Sequence, residues 1–500
     1  MQNLTAQLIY HARVRPEAEA LVYGDTRLDW RALHERVQEI AGGLRARGIG
    51  PDSIVALVMK NSAAFIELLY AISHVGAVSL PVNFRLSAEE VGYITNHAGA
   101  DLIIADTEFA TSVAGLTPPV ILLDTAAQSD LRTAIRGAPV ARPHPRAGGD
   151  LFRLMYTSGT TDRPKGVTHS HDNFHYKNMD MIMSLQLSAR DRLCMVGPLY
   201  HVGACDLPGL AVHAAGGTLV VLRDYDPARV VDTVAAEGIT GIWLAPVMTS
   251  GILALDRAAL PDLSSLEWCI AGGDRTPESR IRDFGSVFPR ARYIDAYGMT
   301  ETVSGDTMME AGREIEKIGS VGRPVSMVEL EIRDDAGTAL PPGEAGEICM
   351  RGPKVTSGYW KDPERTAAAM HDDGFLRSGD VGYLDADGFL FLTDRKKDMI
   401  ISGGENIASS ELERVIHLMP EVADVAVVAK PDEKWGEVPL AVVVLAPGAQ
   451  LDLDRLTGFC RTHLAGFKCP KALRIVSELP RNPSGKILKR VLREQVLSDG

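Results

Sequence analysis

An α/β fold is predicted here: a large N-terminal domain of parallel-rich sheets covered by helices plus a β section, and a small α+β C-terminal domain. Three observations carry the prediction. The chain has 500 residues, more than one hydrophobic core usually organises. Short apolar, β-branched runs alternate with helix-like segments along most of it, as sheets with helical crossovers require. Near residue 395 a charged stretch, Asp394-Arg-Lys-Lys-Asp398, separates this region from a compact tail with its own strands and helices.

The elements follow in order. Segments 53–58, 101–104, 218–222 and 241–244 read as buried strands, and 63–74 and 227–237 as helices between them. From 320 to 395 the pattern changes. Val328-Glu-Leu-Glu-Ile-Arg333, Gly346-Glu-Ile-Cys-Met350 and Phe389-Leu-Phe-Leu392 alternate apolar with polar residues between Gly, Pro and Asp, which predicts antiparallel strands. The tail reads as helix 409–417, strands 422–429 and 440–445, helix 454–463 and strand 472–476. The expected division is a domain over 1–394 and a domain over 399–500, and from composition alone the charged 395–398 stretch between them reads as either a hinge or an exposed turn.

Composition narrows the function. The hydrophobic fraction is 45% and the charged fraction 23%, ordinary for a soluble globular protein. The formal charge is −13 and no long basic run occurs, which speaks against nucleic acid or an anionic membrane as the main partner. A local basic loop can still hold phosphate. The start, Met1-Gln-Asn-Leu-Thr, lacks the basic and apolar regions of a signal peptide. Apolar runs such as Ala441-Val-Val-Val-Leu445 are too short to cross a bilayer, so no transmembrane segment is expected. The six cysteines form no C-x-x-C pair and read as free buried thiols of a reducing compartment. A cytoplasmic location is expected.

One segment concentrates phosphate chemistry. Tyr156-Thr-Ser-Gly-Thr-Thr-Asp-Arg-Pro-Lys-Gly-Val167 holds hydroxyls, glycines and cations together. Small residues let backbone N–H groups approach an anion, hydroxyls donate to its oxygens, and Lys165 supplies charge. The G-x-x-x-x-G-K-[ST] pattern does not fit it. Read from the residues alone, a Gly/Ser turn remains open.

This segment resembles the signature loop T-S-G-T-T-G-x-P-K-G of the adenylate-forming superfamily, with Asp162 where glycine is usual. That family includes acyl- and aryl-CoA synthetases, peptide-synthetase adenylation domains and firefly luciferase. The remaining family elements follow in order over essentially the whole chain. Ala271-Gly-Gly273 resembles the glycine turn beside adenine and the acyl pocket. Asp295-Ala-Tyr-Gly-Met-Thr-Glu301 resembles the Y-G-x-T-E element, Ser378-Gly-Asp380 the G-D element, and Thr393-Asp-Arg-Lys-Lys-Asp398 the inter-domain segment. Ile401-Ser-Gly-Gly-Glu-Asn-Ile407 and Pro480-Arg-Asn-Pro-Ser-Gly-Lys486 match the two C-terminal elements.

The resemblance implies an ATP-dependent acid:CoA ligase that forms an acyl-adenylate and then a thioester, with ATP, Mg²⁺ and CoA as cosubstrates. It also implies a mobile C-terminal lid. Thr157, Ser158, Gly159, Thr160, Thr161 and Lys165 would cradle phosphate, and Gly272, Gly273, Asp295, Ala296 and Gly298 would shape the adenine and acyl pockets. Tyr297 would stack on adenine, Thr300 would contact the AMP phosphate, and Glu301 would hold Mg²⁺. Asp380 and Arg395 would meet the ribose, Lys397 would mark the hinge, Gly403 and Gly404 would line the pantetheine passage, and Lys486 would be the catalytic lysine.

Pro198-Leu-Tyr-His-Val-Gly203 matches the element that borders the acyl pocket, which puts His201 near the substrate carboxylate. A lone histidine can equally be structural. An amino-acid-activating domain carries an Asp where this chain does not, which argues against a peptide-synthetase module. The expected acid is medium-sized and apolar: aryl of the cinnamate or ferulate type, or a medium-chain fatty acid. Asp206 and the methionines Met179, Met181 and Met183 are weaker pocket candidates beside a packing role. A stand-alone ligase loading a carrier protein, or a non-ligase relative, stays as an alternative, and relatives of this kind are monomers or homodimers.

Overall fold

The structure, a computed structural model, describes residues 3–128, 130–157, 164–272, 278–395, 398–402, 405–432, 434–481 and 487–498. Local sequence explains its regular elements. Helix Ala63–His74 is buried along its whole length and is capped by Ser62, which accepts from Phe65 N–H at 3.2 Å. Helix Pro227–Glu237 opens with proline after the cap Asp226 and stops at Gly238, whose φ is +59°. Both follow the preferred chemistry of helix ends.

Two parallel-rich sheets organise the large N-terminal part. One has six strands and the other nine, with parallel pairing in their centres and antiparallel pairs at edges. A four-stranded antiparallel sheet over 329–395 follows, then a five-stranded sheet in the small C-terminal part. The alternating runs at 328–333 and 346–350 therefore pair as expected, Glu329 opposite Arg351 through Arg333 opposite Glu347. Among the described residues no helix is long and apolar enough to cross a membrane.

A few elements position the site. Leu151–Thr157 (β1) and Lys165–Ser170 (β2) form an antiparallel hairpin on the six-stranded sheet, with Thr157 opposite Lys165. The Ser/Thr/Gly-rich loop is thus the hairpin's connection. His171–Leu185 (α1) follows at once, its first turn held by a Ser170–Asn173 capping box. Val202–Asp206 (α2) is a short buried helix. Gly241–Leu244 (β3), Trp268–Gly272 (β4) and Arg292–Tyr297 (β5) are neighbouring parallel strands of the larger sheet. Leu376–Leu384 (β6) and Leu390–Arg395 (β7) pair antiparallel, with Asp380 opposite Arg395.

Two features depart from the expected element list. Segment 400–407 forms two short paired strands, Ile400–Ser402 and Glu405–Ile407. A last helix, Lys489–Ser498, packs on the C-terminal sheet. Its first residue, Lys489, donates to Ser409 Oγ and pairs with Glu413, at 2.6 and 2.7 Å.

Candidate active site

The site is built where strands end. Gly272 closes β4 and Tyr297 closes β5, so both lie at carboxyl ends of parallel strands, the usual ligand edge of such sheets. Gly272 and Ala296 are opposite each other, and a Cβ on Gly272 would come within 2.8 Å of the Ala296 carbonyl oxygen. Asp295 and Ala296 are buried within the strand.

Lys165, the first residue of β2, donates to Glu301 Oε1 at 2.8 Å and to the Tyr359 hydroxyl at 2.7 Å. The Tyr359 hydroxyl in turn donates a hydrogen bond to Glu301 Oε1 at 2.9 Å. Burial, then the Glu301 carboxylate, raises the Tyr359 phenol above its ordinary range, so it stays a donor. Glu301 is only 4% exposed, and its charge is balanced by the lysine.

The second pair is Tyr297 and Asp380. The phenol donates to Asp380 Oδ2 at 2.8 Å, and burial followed by that carboxylate raises its pKa well above the usual value. Beside Lys165 and Tyr359 lies a cavity of about 410 Å³, lined also by Met299, Arg365, Arg377, Ser378 and Gly379, with one carboxylate, Glu347, paired to Arg377. Its size is that of a small-molecule site, and its cations suit an anion.

The turn that follows Tyr297 is unusual. Val303, Ser304 and Gly305 take φ of +56°, +69° and +71° in succession. A β-branched residue in this region is strained. Lys354, fully buried, clamps the turn by donating to the Ser304 and Gly305 carbonyls at 3.2 and 2.5 Å, with Asp306 3.2 Å away. Gly298 is needed for the same reason: a Cβ there would meet Gly305 N at 2.4 Å.

Other expected residues are placed as follows. Thr300 and Glu301 share one 3₁₀ turn. Thr157 Oγ1 is buried with no hydrogen-bond partner among the described residues, at the root of the loop. His201 is exposed, and its Nδ1 accepts from Gly203 N–H at 3.1 Å, capping α2. Asp206 is fully buried and ion-paired with Arg153 at 2.6 Å, so it is a packing residue and not a pocket group. Met181 is buried against Gly305, whereas Met179 and Met183 are exposed. Ser158, Gly159, Thr160, Thr161, Asp162, Gly273, Lys397, Gly403, Gly404 and Lys486 lie outside the described residues, as does the side chain of Arg395.

The donor set also bears on Mg²⁺. Among the described residues no three His, Cys, Asp or Glu side chains gather to hold a metal. A single buried carboxylate beside an anion-binding cavity fits an ion that arrives on a triphosphate and keeps its waters.

Residues 8–360 match a family profile described as AMP-binding enzyme, and residues 411–486 match the AMP-binding enzyme C-terminal domain. The chain belongs to the AMP-binding enzyme family. A feruloyl-CoA synthase of Amycolatopsis sp is 38% identical over 498 residues, 99% of each chain. A long-chain-fatty-acid–CoA ligase of Mycobacterium tuberculosis is 35% identical over 504 residues, again 99% of each. Among solved structures, the o-succinylbenzoate CoA synthetase of Bacillus subtilis in complex with its acyl-adenylate intermediate superposes with a TM-score of 0.88. It is 29% identical, over 98% of this chain and 97% of that one. Its complex with ATP and magnesium ion gives 0.88 at 28% identity, over 98% and 99%.

Four side chains of this AMP-binding enzyme escaped sequence reasoning: Tyr359, Lys354, Arg153 and His169. A charged residue inside an apolar β-run, as in Leu151-Phe-Arg-Leu-Met155, was the available signal for Arg153. A histidine in the strand after the loop gave no comparable signal.

Proposed function

We propose that this chain is an AMP-forming acid:CoA ligase that activates an aryl carboxylic acid of the cinnamate or ferulate type. The observation that carries the reading is one cavity bounded by the Lys165–Tyr359–Glu301 cluster and running to the turn before Asp380. A triphosphate suits the cationic end, and a ribose hydroxyl suits the Asp380 carboxylate, now held by Tyr297.

In the first step a carboxylate oxygen of the acid attacks the α-phosphorus of ATP. The bond to the bridging oxygen breaks, and pyrophosphate leaves with the electron pair. Lys165 offsets charge growing on the phosphate oxygens, Thr300 donates its hydroxyl, and Lys486 bridges the carboxylate and the α-phosphate. Mg²⁺ travelling with ATP supplies further charge neutralisation, and Glu301 is the residue that would hold it. In the second step the CoA sulfur attacks the acyl carbon, the acyl–phosphate C–O bond breaks, AMP departs and the thiol proton passes to solvent. The reading assigns 1–394 to ATP and acid, 395–398 to a hinge and 399–500 to a rotating lid whose Gly403 and Gly404 pass the pantetheine arm. A cytoplasmic location, where ATP and CoA are at hand, belongs to the same reading.

The choice of an aryl acid is supported by Trp243 on β3. Its indole lies against Gly197 and Gly203, where a Cβ would come within 2.6 and 2.8 Å of the ring. The two glycines flank the His201 segment, so a flat aromatic wall borders it. Trp243 Nε1 is buried without a hydrogen-bond partner among the described residues. The feruloyl-CoA synthase relative agrees with this chemistry.

The test is turnover of ferulate, benzoate, hexanoate, octanoate and palmitate with ATP, Mg²⁺ and CoA, reading AMP and thioester mass. Ferulate should exceed the aliphatic acids in kcat/KM by about tenfold or more. Preference for octanoate or palmitate would overturn the aryl assignment. Pyrophosphate without a CoA thioester would replace CoA by a carrier protein.

A further inference from the structure

A buried polar chain runs from α2 to the Thr300 carbonyl. Asp206 ends α2 and is fully buried. Arg153, in the middle of β1 and 1% exposed, donates to both of its carboxylate oxygens at 3.1 and 2.6 Å. The same guanidinium turns Nε and Nη2 towards His169 Nδ1, at 3.2 and 3.1 Å. A guanidinium can only donate, so Nδ1 presents its lone pair and the ring proton sits on Nε2. Nε2 lies 2.7 Å from the Thr300 carbonyl oxygen and donates to it. Lys177, from α1, adds a donor to the Asp206 main-chain oxygen at 3.1 Å.

The next carbonyl is held as well, Glu301 O accepting from Thr356 N–H at 2.7 Å. His169 therefore supplies the side-chain half of a two-point clamp on the Thr300–Glu301 turn, directly before the strained residues Val303 and Ser304. A buried ion pair such as Arg153–Asp206 adds little net stability over an apolar filling. What it supplies here is a fixed ring orientation and a fixed tautomer.

We infer that His169, oriented by Arg153 and Asp206, is a positioning residue of the nucleotide site: it fixes the Thr300–Glu301 turn and so aims the Thr300 hydroxyl and the Glu301 carboxylate at the metal-bound triphosphate. The inference rests on the role given above to Thr300 and Glu301. It extends that role to Arg153 on β1 and Asp206 on α2, neither of which lines the cavity. Because the chain begins at α2, whose cap is His201, it also ties the segment assigned to the acid to the segment assigned to ATP.

The experiment is calorimetric binding of MgATP to the full chain, with no acid present, for wild type and for His169→Gln, His169→Asn and His169→Leu. Glutamine carries an N–H to the place of Nε2, whereas asparagine reaches only the Nδ1 side. The Asn and Leu variants should bind MgATP about tenfold to a hundredfold more weakly, and the Gln variant within about threefold of wild type. Thermal unfolding run in parallel separates loss of fold from loss of aim, and the Gln–Asn contrast stands even where the Leu variant fails to fold. Equal MgATP affinity in the Gln and Asn variants, whether both intact or both weak, would overturn the inference. Wild type that binds MgATP with this contrast, yet turns over no acid, would remove the ligase reading and leave the positioning role in place.

Discussion

At the scale of single residues, the site depends on one phenol more than its sequence suggests. Tyr359 receives the Lys165 ammonium and donates to Glu301, so it sets where that cation and that carboxylate stand before ATP enters. Tyr359→Phe keeps the ring and removes both bonds. The expected result is a rise of about threefold to thirtyfold in KM for ATP, with a smaller change in kcat, read by steady-state kinetics at fixed Mg²⁺. An unchanged KM would show that Lys165 and Glu301 are placed without it. Lys165, Glu301, Tyr297 and Asp380 were legible because each sits inside a short motif. Tyr359 and His169 were not, because their partners lie far along the chain: Tyr359 meets Lys165 across 194 positions and His169 meets Thr300 across 131. Pairing at that range is decided by sheet packing, which no local pattern encodes.

At the scale of elements, the turn after β5 is the part under tension. Three consecutive residues with positive φ cost free energy that surrounding contacts must offset. Lys354 is the chief of these contacts, buried between the Ser304 and Gly305 carbonyls and the carboxylates of Asp306 and Asp180. Lys354→Met leaves two buried carboxylates without their cation, which should cost about 3–5 kcal/mol in urea unfolding. Adding Asp306→Asn should recover part of that loss, and strict additivity of the two changes would contradict the coupling. The strands and helices here were largely readable, since 63–74, 227–237 and 241–244 have clear periodicity and good caps. The pair Ile400–Ser402 and Glu405–Ile407 was not, because strands of three residues around Gly-Gly carry no periodic signal. The final helix was hidden by its polar sequence, Lys489-Arg-Val-Leu-Arg-Glu-Gln-Val-Leu-Ser498, which buries only a narrow apolar stripe.

At the scale of the whole molecule, the six-stranded sheet and the antiparallel sheet meet at the cavity, through Lys165 on one and Arg377, Ser378 and Gly379 on the other, and a smaller α+β part follows. Asp394, at the end of β7, links the two by accepting from Ser409 N–H and Oγ at 2.5 and 2.6 Å. The order of these parts was legible from alternation and composition. Their strand order was not, because crossovers between distant strands leave no trace in local sequence. The global stability carries a testable pH signature. His213 is fully buried between Tyr70 and the Ala20 carbonyl, and burial pushes its pKa down to about 3. Its folded value lies below the ordinary one of about 6.5, so the unfolded chain takes the proton first. Its contribution is present in full above pH 6.5 and is lost as pH falls towards the folded value, at up to about 1.4 kcal/mol per pH unit. His213→Gln should therefore show a shallower fall of unfolding free energy between pH 6 and pH 4 than wild type, whatever its absolute stability. Parallel curves would show that His213 already carries its proton in the folded core.

In the proposed mechanism, acid activation by AMP transfer comes first and is complete before CoA is needed. Exchange of labelled pyrophosphate into ATP, measured with Mg²⁺ and ferulate and without CoA, tests it most directly. Exchange should require the acid, proceed without CoA, and disappear in Lys486→Ala. Exchange that needs CoA, or ATP breakdown to ADP and phosphate, would contradict it.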